Sequence, residues 1–144
     1  EKRFYDLSDL AKTAVDADEL EKAQTYAREL LRAAPNYPKD WNYGNAIYYG
    51  NFVIGRVALR QGNIPVARQY LLNASTTPGS PQLNSFGPNM TLAKELLEKQ
   101  QADVVLQFFS ACGNFWSRGR DRLTAWTVEV RRGSIPDFGA NLNY

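Results

Sequence analysis

The sequence predicts an all-helical protein of about seven helices with no sheet, built from stacked antiparallel hairpins. Apolar residues recur at steps of three and four along most of the 144-residue chain, the spacing that places them on one face of an α-helix. Segments dense in proline, glycine and asparagine interrupt this pattern, and most are so short that neighbouring helices must be antiparallel. One domain is expected over residues 1–144, because this length suits a single core.

The first hairpin is expected over about residues 4–34. Apolar stripes with helical spacing run along residues 4–14 and again along residues 20–31. Between them, Asp18 and Glu21 have the spacing of a capping box, in which the two side chains bond the free backbone N–H groups at the start of a helix. The prolines that follow end the second helix, since proline is not accommodated in a helix interior.

The second hairpin is expected over about residues 40–75, and its first helix is the most unusual of the chain. This third helix should run from about residue 40 to residue 61, and it carries a cluster of aromatic residues. It also holds three glycines: Gly44, Gly50 and Gly55. Each glycine costs about 1 kcal/mol relative to alanine in a helix interior, so we expect the close approach of a neighbouring backbone to offset them. A kinked or extended start before Gly50 is the alternative.

The rest of the chain alternates between helices and irregular segments. Residues 75–89 are dense in helix breakers, and so long an irregular stretch is often functional. A third hairpin is expected at about 89–113, and a further helix at about 120–132 should cap it. The tail, residues 133–144, has no periodicity and is expected to lie over the surface.

Composition excludes several classes of function. The chain has no histidine, which removes histidine metal sites and the usual serine or cysteine nucleophile pairs. The 17 basic and 15 acidic side chains are mixed along the chain, so neither nucleic acid nor an anionic membrane is expected as a partner. No apolar run is long enough for a membrane span. A cytoplasmic location is favoured, although the chain does not begin with methionine and an exported origin stays open.

The groups that could carry chemistry have simpler explanations. Cys112, the single cysteine, lies on the apolar face of its helix and should be a core residue. Paired carboxylates such as Asp16 and Asp18 fall at helix ends, where capping and solvation explain them. Arginines gather near Trp116 and Trp126, but no nucleic-acid motif accompanies them. We therefore expect no enzyme activity and no cofactor.

One segment of the chain resembles the tetratricopeptide repeat (TPR). It has a large residue followed by a small one at Ile54 and Gly55, a turn glycine at Gly62, and small residues at Ala67 and Ala74 in the second helix. In the family this arrangement lets the two helices of a hairpin touch closely. Two further segments fit the same frame, and they begin near residues 10 and 92. Their spacing is longer and less regular than the family's repeat of about 34 residues.

The resemblance implies a superhelix of hairpins, in which the first helix of each hairpin lines a groove that binds a peptide. Residues carried over to that face include Ser8 and Met90, and the predicted binding residues are Lys12, Tyr49, Phe52, Arg56, Arg60 and Lys94. The cations Lys12, Arg56 and Lys94 take equivalent places, which suits an extended peptide or a carboxylate-bearing partner. Ordinary solvated surface is the simpler explanation of these cations.

The function expected from this resemblance is a scaffold that binds a protein or peptide in a groove lined by the third helix. A structural alternative is an oligomerisation domain, whose aromatic surfaces and residues 75–89 pack on a second copy or on a neighbouring domain. Side chains of the asparagine cluster Asn42, Asn45 and Asn51 could bond a bound peptide or satisfy nearby loops, and the sequence leaves both open.

Overall fold

A computed structural model describes all 144 residues, and it consists of helices and loops with no β-strand. The prediction of an all-helical protein is therefore confirmed. The eight α-helices are α1 (Lys2–Asp16), α2 (Leu20–Ala33), α3 (Tyr43–Arg60), α4 (Ile64–Ala74), α5 (Pro81–Phe86), α6 (Thr91–Glu98), α7 (Ala102–Cys112) and α8 (Arg120–Arg131). Seven of them lie where the apolar pattern predicts a helix, and α5 is additional. None combines the length and the apolar composition needed to cross a membrane.

Helices that are adjacent in the chain pack against each other, and α3 lies at the centre. The pairs α1–α2 and α3–α4 form hairpins, and both helices of the first pair contact α3. Further along, α4 packs on α6 and α7, and α7 packs on α8. One continuous core joins these elements, since a single cluster of 33 buried apolar residues extends from α1 to the C-terminal tail.

The turn between α1 and α2 differs from the predicted capping box. Asp18 has a φ of 61°, and α2 begins at Leu20 after Glu19, without a side-chain hydrogen bond at its cap. The Asp18 carboxylate instead accepts a hydrogen bond of 2.9 Å from Nη1 of Arg60 on α3. The capping-box prediction is wrong because a long-range ion pair uses the side chain that the local pattern assigned to the helix end.

Close packing around α3 explains its three glycines. A Cβ at Gly44 would overlap the backbone carbonyl of Gly79, so the predicted approach of a neighbouring backbone is confirmed there. At Gly50 and Gly55 the nearest atoms belong to side chains, those of Leu31 and Leu92. The helix is continuous from Tyr43, and Thr77 Oγ1 donates a hydrogen bond of 2.7 Å to the Gly44 carbonyl, which fixes the loop on the helix.

The C-terminal tail is anchored in the core, which corrects the expectation of a surface segment. Phe138 is buried against Trp126, with ring centroids 4.9 Å apart. Asn141 is also buried, and its Nδ2 donates hydrogen bonds to the carbonyls of Phe86 and Pro88 at 3.0 and 3.2 Å. These contacts hold the tail against the loop that follows α5.

An ion pair between α4 and the first turn of α7 gives a prediction for the titration of one carboxyl group. Both Arg68 Nη atoms donate to the Asp103 carboxylate at 2.7 Å, and these hydrogen bonds lower the pKa of Asp103 to about 2. In Arg68→Gln we expect an NMR titration to show this pKa rising toward about 3.9, the value of an unperturbed aspartate. A depressed folded-state pKa stabilises the protein above the unfolded pKa, and that contribution is lost as the pH falls toward 2.

The control for this titration is Arg131→Gln, which removes an exposed arginine that makes no ion pair. It should leave the Asp103 midpoint unchanged. An equal midpoint in wild type and Arg68→Gln would show that Arg68 does not lower the pKa of Asp103 in solution.

Candidate binding site

The first wall of the candidate site is one face of α1. Tyr5, Ser8, Asp9 and Lys12 are spaced by three and four residues, so they share a face of the helix. Phe4, Leu7 and Ala11 anchor the helix on its other side, since all three are buried in the core. The sequence thus fixes which polar face of α1 is left for the site.

The second wall is the start of α3 with the residues that precede it. The Asp40 carboxylate accepts hydrogen bonds from the Asn42 backbone N–H at 2.8 Å and from the Tyr5 hydroxyl at 2.6 Å. This arrangement stacks the Trp41 ring on the Tyr5 ring, with centroids 5.4 Å apart and planes 8° from parallel. Asp40 therefore fixes Trp41 in place at the junction of α1 and α3.

The third wall comes from the residues predicted as irregular, 75–89, which include α5. Ser80 caps α5 by accepting a hydrogen bond from the Leu83 N–H, and its hydroxyl donates to Asn45 Oδ1 at 2.6 Å. The Asn45 side chain also bonds Gln82 Oε1 at 3.3 Å. Polar contacts with α3 therefore hold α5 opposite α1.

These three walls enclose a cleft of about 360 Å³, which we call the aromatic cleft. Its lining residues are Tyr5, Ser8, Asp9, Lys12, Trp41, Asn42, Asn45, Tyr49, Gln82, Leu83, Phe86, Gly87 and Tyr144. Two of its side chains, Trp41 and Phe86, are 52% and 55% exposed, and only three other large hydrophobic side chains in the chain are comparably exposed. Because exposed aromatic side chains grouped at a concave site mark binding surfaces, the cleft is the leading candidate.

Two polar groups in the cleft lack hydrogen-bond partners. Ser8 Oγ and Asn42 Nδ2 are the only buried side-chain nitrogen or oxygen atoms of the protein without one, and the two residues are 8% and 5% exposed. A buried polar group left unpaired costs about 1–3 kcal/mol, so folded proteins rarely retain one without a role. Both residues line the same cleft.

Lys12 is the cation of the cleft. Its Nζ lies 4.1 Å from the centroid of the Tyr49 ring and 3.7 Å from Asp9 Oδ1. Burial lowers the pKa of Lys12, and the Asp9 carboxylate opposes that effect. Burial raises the pKa of Tyr49, so its ring remains a neutral support for the ammonium group. The cleft therefore combines one partly desolvated positive charge with an aromatic wall.

The structure brings two of the six predicted binding residues into this cleft, Lys12 and Tyr49. Phe52 lies in the core, and Lys94 is partly buried on α6 outside the cleft. Arg56 is buried, and it donates to Asp16 at 2.7 Å and to Glu95 at 3.1 Å. Burial acts to lower the pKa of Arg56, but these carboxylates raise it above its ordinary value.

Arg60 pairs with the same group of carboxylates. It bonds Asp18 at 2.9 Å and lies 3.6 Å from Glu95. The two arginines of α3 thus join α1, its following turn and α6, and these contacts take up charge that the groove hypothesis assigned to a partner. A binding role for Arg56 and Arg60 stays a prediction.

Sequence reasoning did not select Trp41, Phe86 or Ser8 as binding residues. The sequence contained two signals of the site, namely the unusual length of the irregular segment 75–89 and the asparagine cluster on α3. The structure divides that cluster, since Asn45 satisfies the loop, Asn51 donates to the Ile47 carbonyl, and the Asn42 amide nitrogen has no partner.

Other candidate groups are explained by the core. Cys112 is fully buried, and burial raises the pKa of its thiol well above its ordinary value, as expected for a structural cysteine. Trp116 and Trp126 are also buried, so the arginines near them in sequence have no aromatic surface beside them. No group of three or more histidine, cysteine or carboxylate side chains lies close enough to hold a metal ion.

Comparison with protein-family models, curated proteins and solved structures finds no significant match to this chain. Its function must therefore be inferred from the geometry of the aromatic cleft.

Proposed function

We propose that this protein is a binding module that holds a segment of a partner protein or peptide in the aromatic cleft. One observation carries the proposal. The only two unpaired buried polar side-chain atoms of the chain belong to residues of the same cleft whose rim carries exposed Trp41 and Phe86. Interfaces concentrate their binding energy in a few aromatic anchors next to polar groups that a partner can satisfy, and this cleft has both components.

The proposal includes a TPR-like arrangement of the helices. Support comes from the packing order, because α2 contacts the first helix of the next hairpin, α3, and α4 likewise contacts α6. The first helices α1, α3 and α6 also lie on the same side, as the contacts α1–α3 and α3–α6 indicate. In this arrangement the aromatic cleft is the end of the groove nearest the N-terminus, where the first two hairpins meet.

A binding role is favoured over a catalytic one by the chemistry of the cleft. Its titratable side chains are Tyr5, Asp9, Lys12, Tyr49 and Tyr144. Lys12 and Tyr49 are already engaged with each other, and the Tyr5 hydroxyl donates to Asp40. No pair of these groups has the arrangement of a nucleophile beside a general base.

The test is an array of peptides nine residues long, probed with the whole chain and with Trp41→Ala. We expect peptides retained by the wild type to bind Trp41→Ala at least about tenfold more weakly, because truncating an aromatic anchor removes a binding hot spot. The matched control is Ile135→Ala, which removes a side chain that is 45% exposed and outside the cleft. It should bind as the wild type does.

Two results would contradict the proposal. The first is equal peptide binding by the wild type and Trp41→Ala, and the second is equal loss in Trp41→Ala and Ile135→Ala. Light scattering examines the structural alternative on the same samples. A dimer that Trp41→Ala dissociates would identify a second copy of the chain, rather than a peptide, as the partner.

A further inference from the structure

We infer that the inner end of the aromatic cleft is a carboxylate site, in which Lys12, Ser8 and Asn42 together hold one carboxylate group of the partner. The inference rests on the proposed function and adds the chemistry that the partner must present. The evidence is the kind of hydrogen-bonding capacity that these three side chains leave unused, and the charge of the group between them.

The three side chains converge on the cleft from two helices. Ser8 and Lys12 lie one turn apart on the same face of α1. Asn42 immediately precedes α3, and it faces the cleft from the other side. Asn45 Nδ2 donates to Asn42 Oδ1 at 3.1 Å, which uses the acceptor of the Asn42 amide and leaves its N–H groups without a partner.

The unused groups are predominantly donors. The amide nitrogen of Asn42 and the ammonium group of Lys12 can only donate, and the Ser8 hydroxyl can donate as well as accept. The ligand atoms that satisfy them must therefore be acceptors. A carboxylate provides two acceptor oxygens with about four lone-pair positions, so a single group can accept from all three side chains.

Charge favours a carboxylate over a neutral carbonyl. The three paired arginines of the protein, Arg56, Arg60 and Arg68, each have a carboxylate oxygen within 2.9 Å. Lys12 has only Asp9, at 3.7 Å, which is longer than the 2.7–2.9 Å typical of a charge-assisted hydrogen bond. The Asp9 side chain is also 86% exposed, so water screens its attraction for the ammonium group.

The walls of the cleft specify what must accompany the carboxylate. Trp41 and Phe86 present exposed rings, and Tyr144 lies 5.6 Å from Phe86 between ring centroids. An aromatic or aliphatic group attached near the carboxylate would cover these rings. The recognised element is therefore an acidic group next to an apolar side chain.

The experiment compares two probes that share one ring and differ in charge: N-acetyl-phenylalanine, with a free carboxylate, and its amide. Both are titrated into the whole chain while NMR follows the Asn42 side-chain amide and the backbone amides of α1. We expect the carboxylate to bind about tenfold more tightly than the amide, as suits a hydrogen-bonded charge. In Lys12→Met, which retains the apolar stem, this preference should disappear while the binding of the amide is unchanged.

Three further variants sharpen the comparison. Ser8→Ala should reduce the preference for the carboxylate. Asp9→Asn should increase it, because Asp9 is the one carboxylate that competes for Lys12 within the protein. Lys94→Met, which removes a lysine of α6 outside the cleft, should retain the wild-type preference. In each variant, unchanged binding of the amide probe shows that the cleft is still folded.

The inference is overturned if the two probes bind equally, if neither shifts the cleft amides, or if Lys12→Met keeps the preference. These results are separable from the peptide array. A retained carboxylate preference without any peptide binding would remove the proposed function and keep the site, whereas peptide binding without a carboxylate preference would do the reverse.

Discussion

Gly44→Ala is expected to lower the free energy of unfolding by about 3 kcal/mol, as an overpacked core does when the backbone cannot move away. The added Cβ would overlap the carbonyl of Gly79. That carbonyl belongs to the segment that Thr77 fastens to the Gly44 carbonyl with a hydrogen bond of 2.7 Å. Guanidinium denaturation followed by circular dichroism measures the change.

The control for Gly44→Ala is Gly113→Ala. Gly113 has a right-handed helical conformation, and the nearest atom to its added Cβ is 3.4 Å away, so its substitution should change stability by less than about 1 kcal/mol. Similar losses in the two variants would mean that the contact of α3 with the Gly79 backbone is looser in solution than the structure shows.

Asn141→Ala is expected to lower the free energy of unfolding by about 2–3 kcal/mol, because it leaves buried carbonyl groups without their donor. The Asn141 amide donates to the carbonyls of Phe86 and Pro88, and its own oxygen accepts from Arg122 at 3.3 Å. These bonds hold the tail on the loop that forms one wall of the aromatic cleft. Urea denaturation measures the loss.

Asn143→Ala is the matched control, since Asn143 is an exposed asparagine two residues further along the same tail. It should change stability by less than about 0.5 kcal/mol. Equal stability of Asn141→Ala and Asn143→Ala would contradict the assignment of the tail as a buried support of the cleft.

The helices could be predicted from the sequence because their signal is local. Apolar spacing and helix breakers place α1 to α4 and α6 to α8, and three glycines in one helix indicate a close neighbour. The short helix α5 was missed because six residues are too few to show a period. The cap of α2 was predicted wrongly because Asp18 pairs with Arg60, 42 positions away in the chain.

The aromatic cleft could not be predicted because its walls come from separated segments. Tyr5 and Trp41 stack only when the first two hairpins have packed, and Phe86 reaches them through the folded loop. The repeat frame aligned Lys12, Arg56 and Lys94 correctly as positions of successive first helices. It contained no information about Asp16 and Glu95, which come from neighbouring helices and pair with Arg56.

The composition of α3 has a consequence for how the chain folds. Three glycines and several β-branched residues give this helix a low intrinsic stability, so alone in water it would be largely unfolded. Fifteen of its eighteen residues are buried by the helices around it, and those contacts are what make it helical. A regular solenoid can lose its repeats one at a time. Here the hairpins depend on a shared helix that none of them can form alone, so the chain should unfold as one cooperative unit.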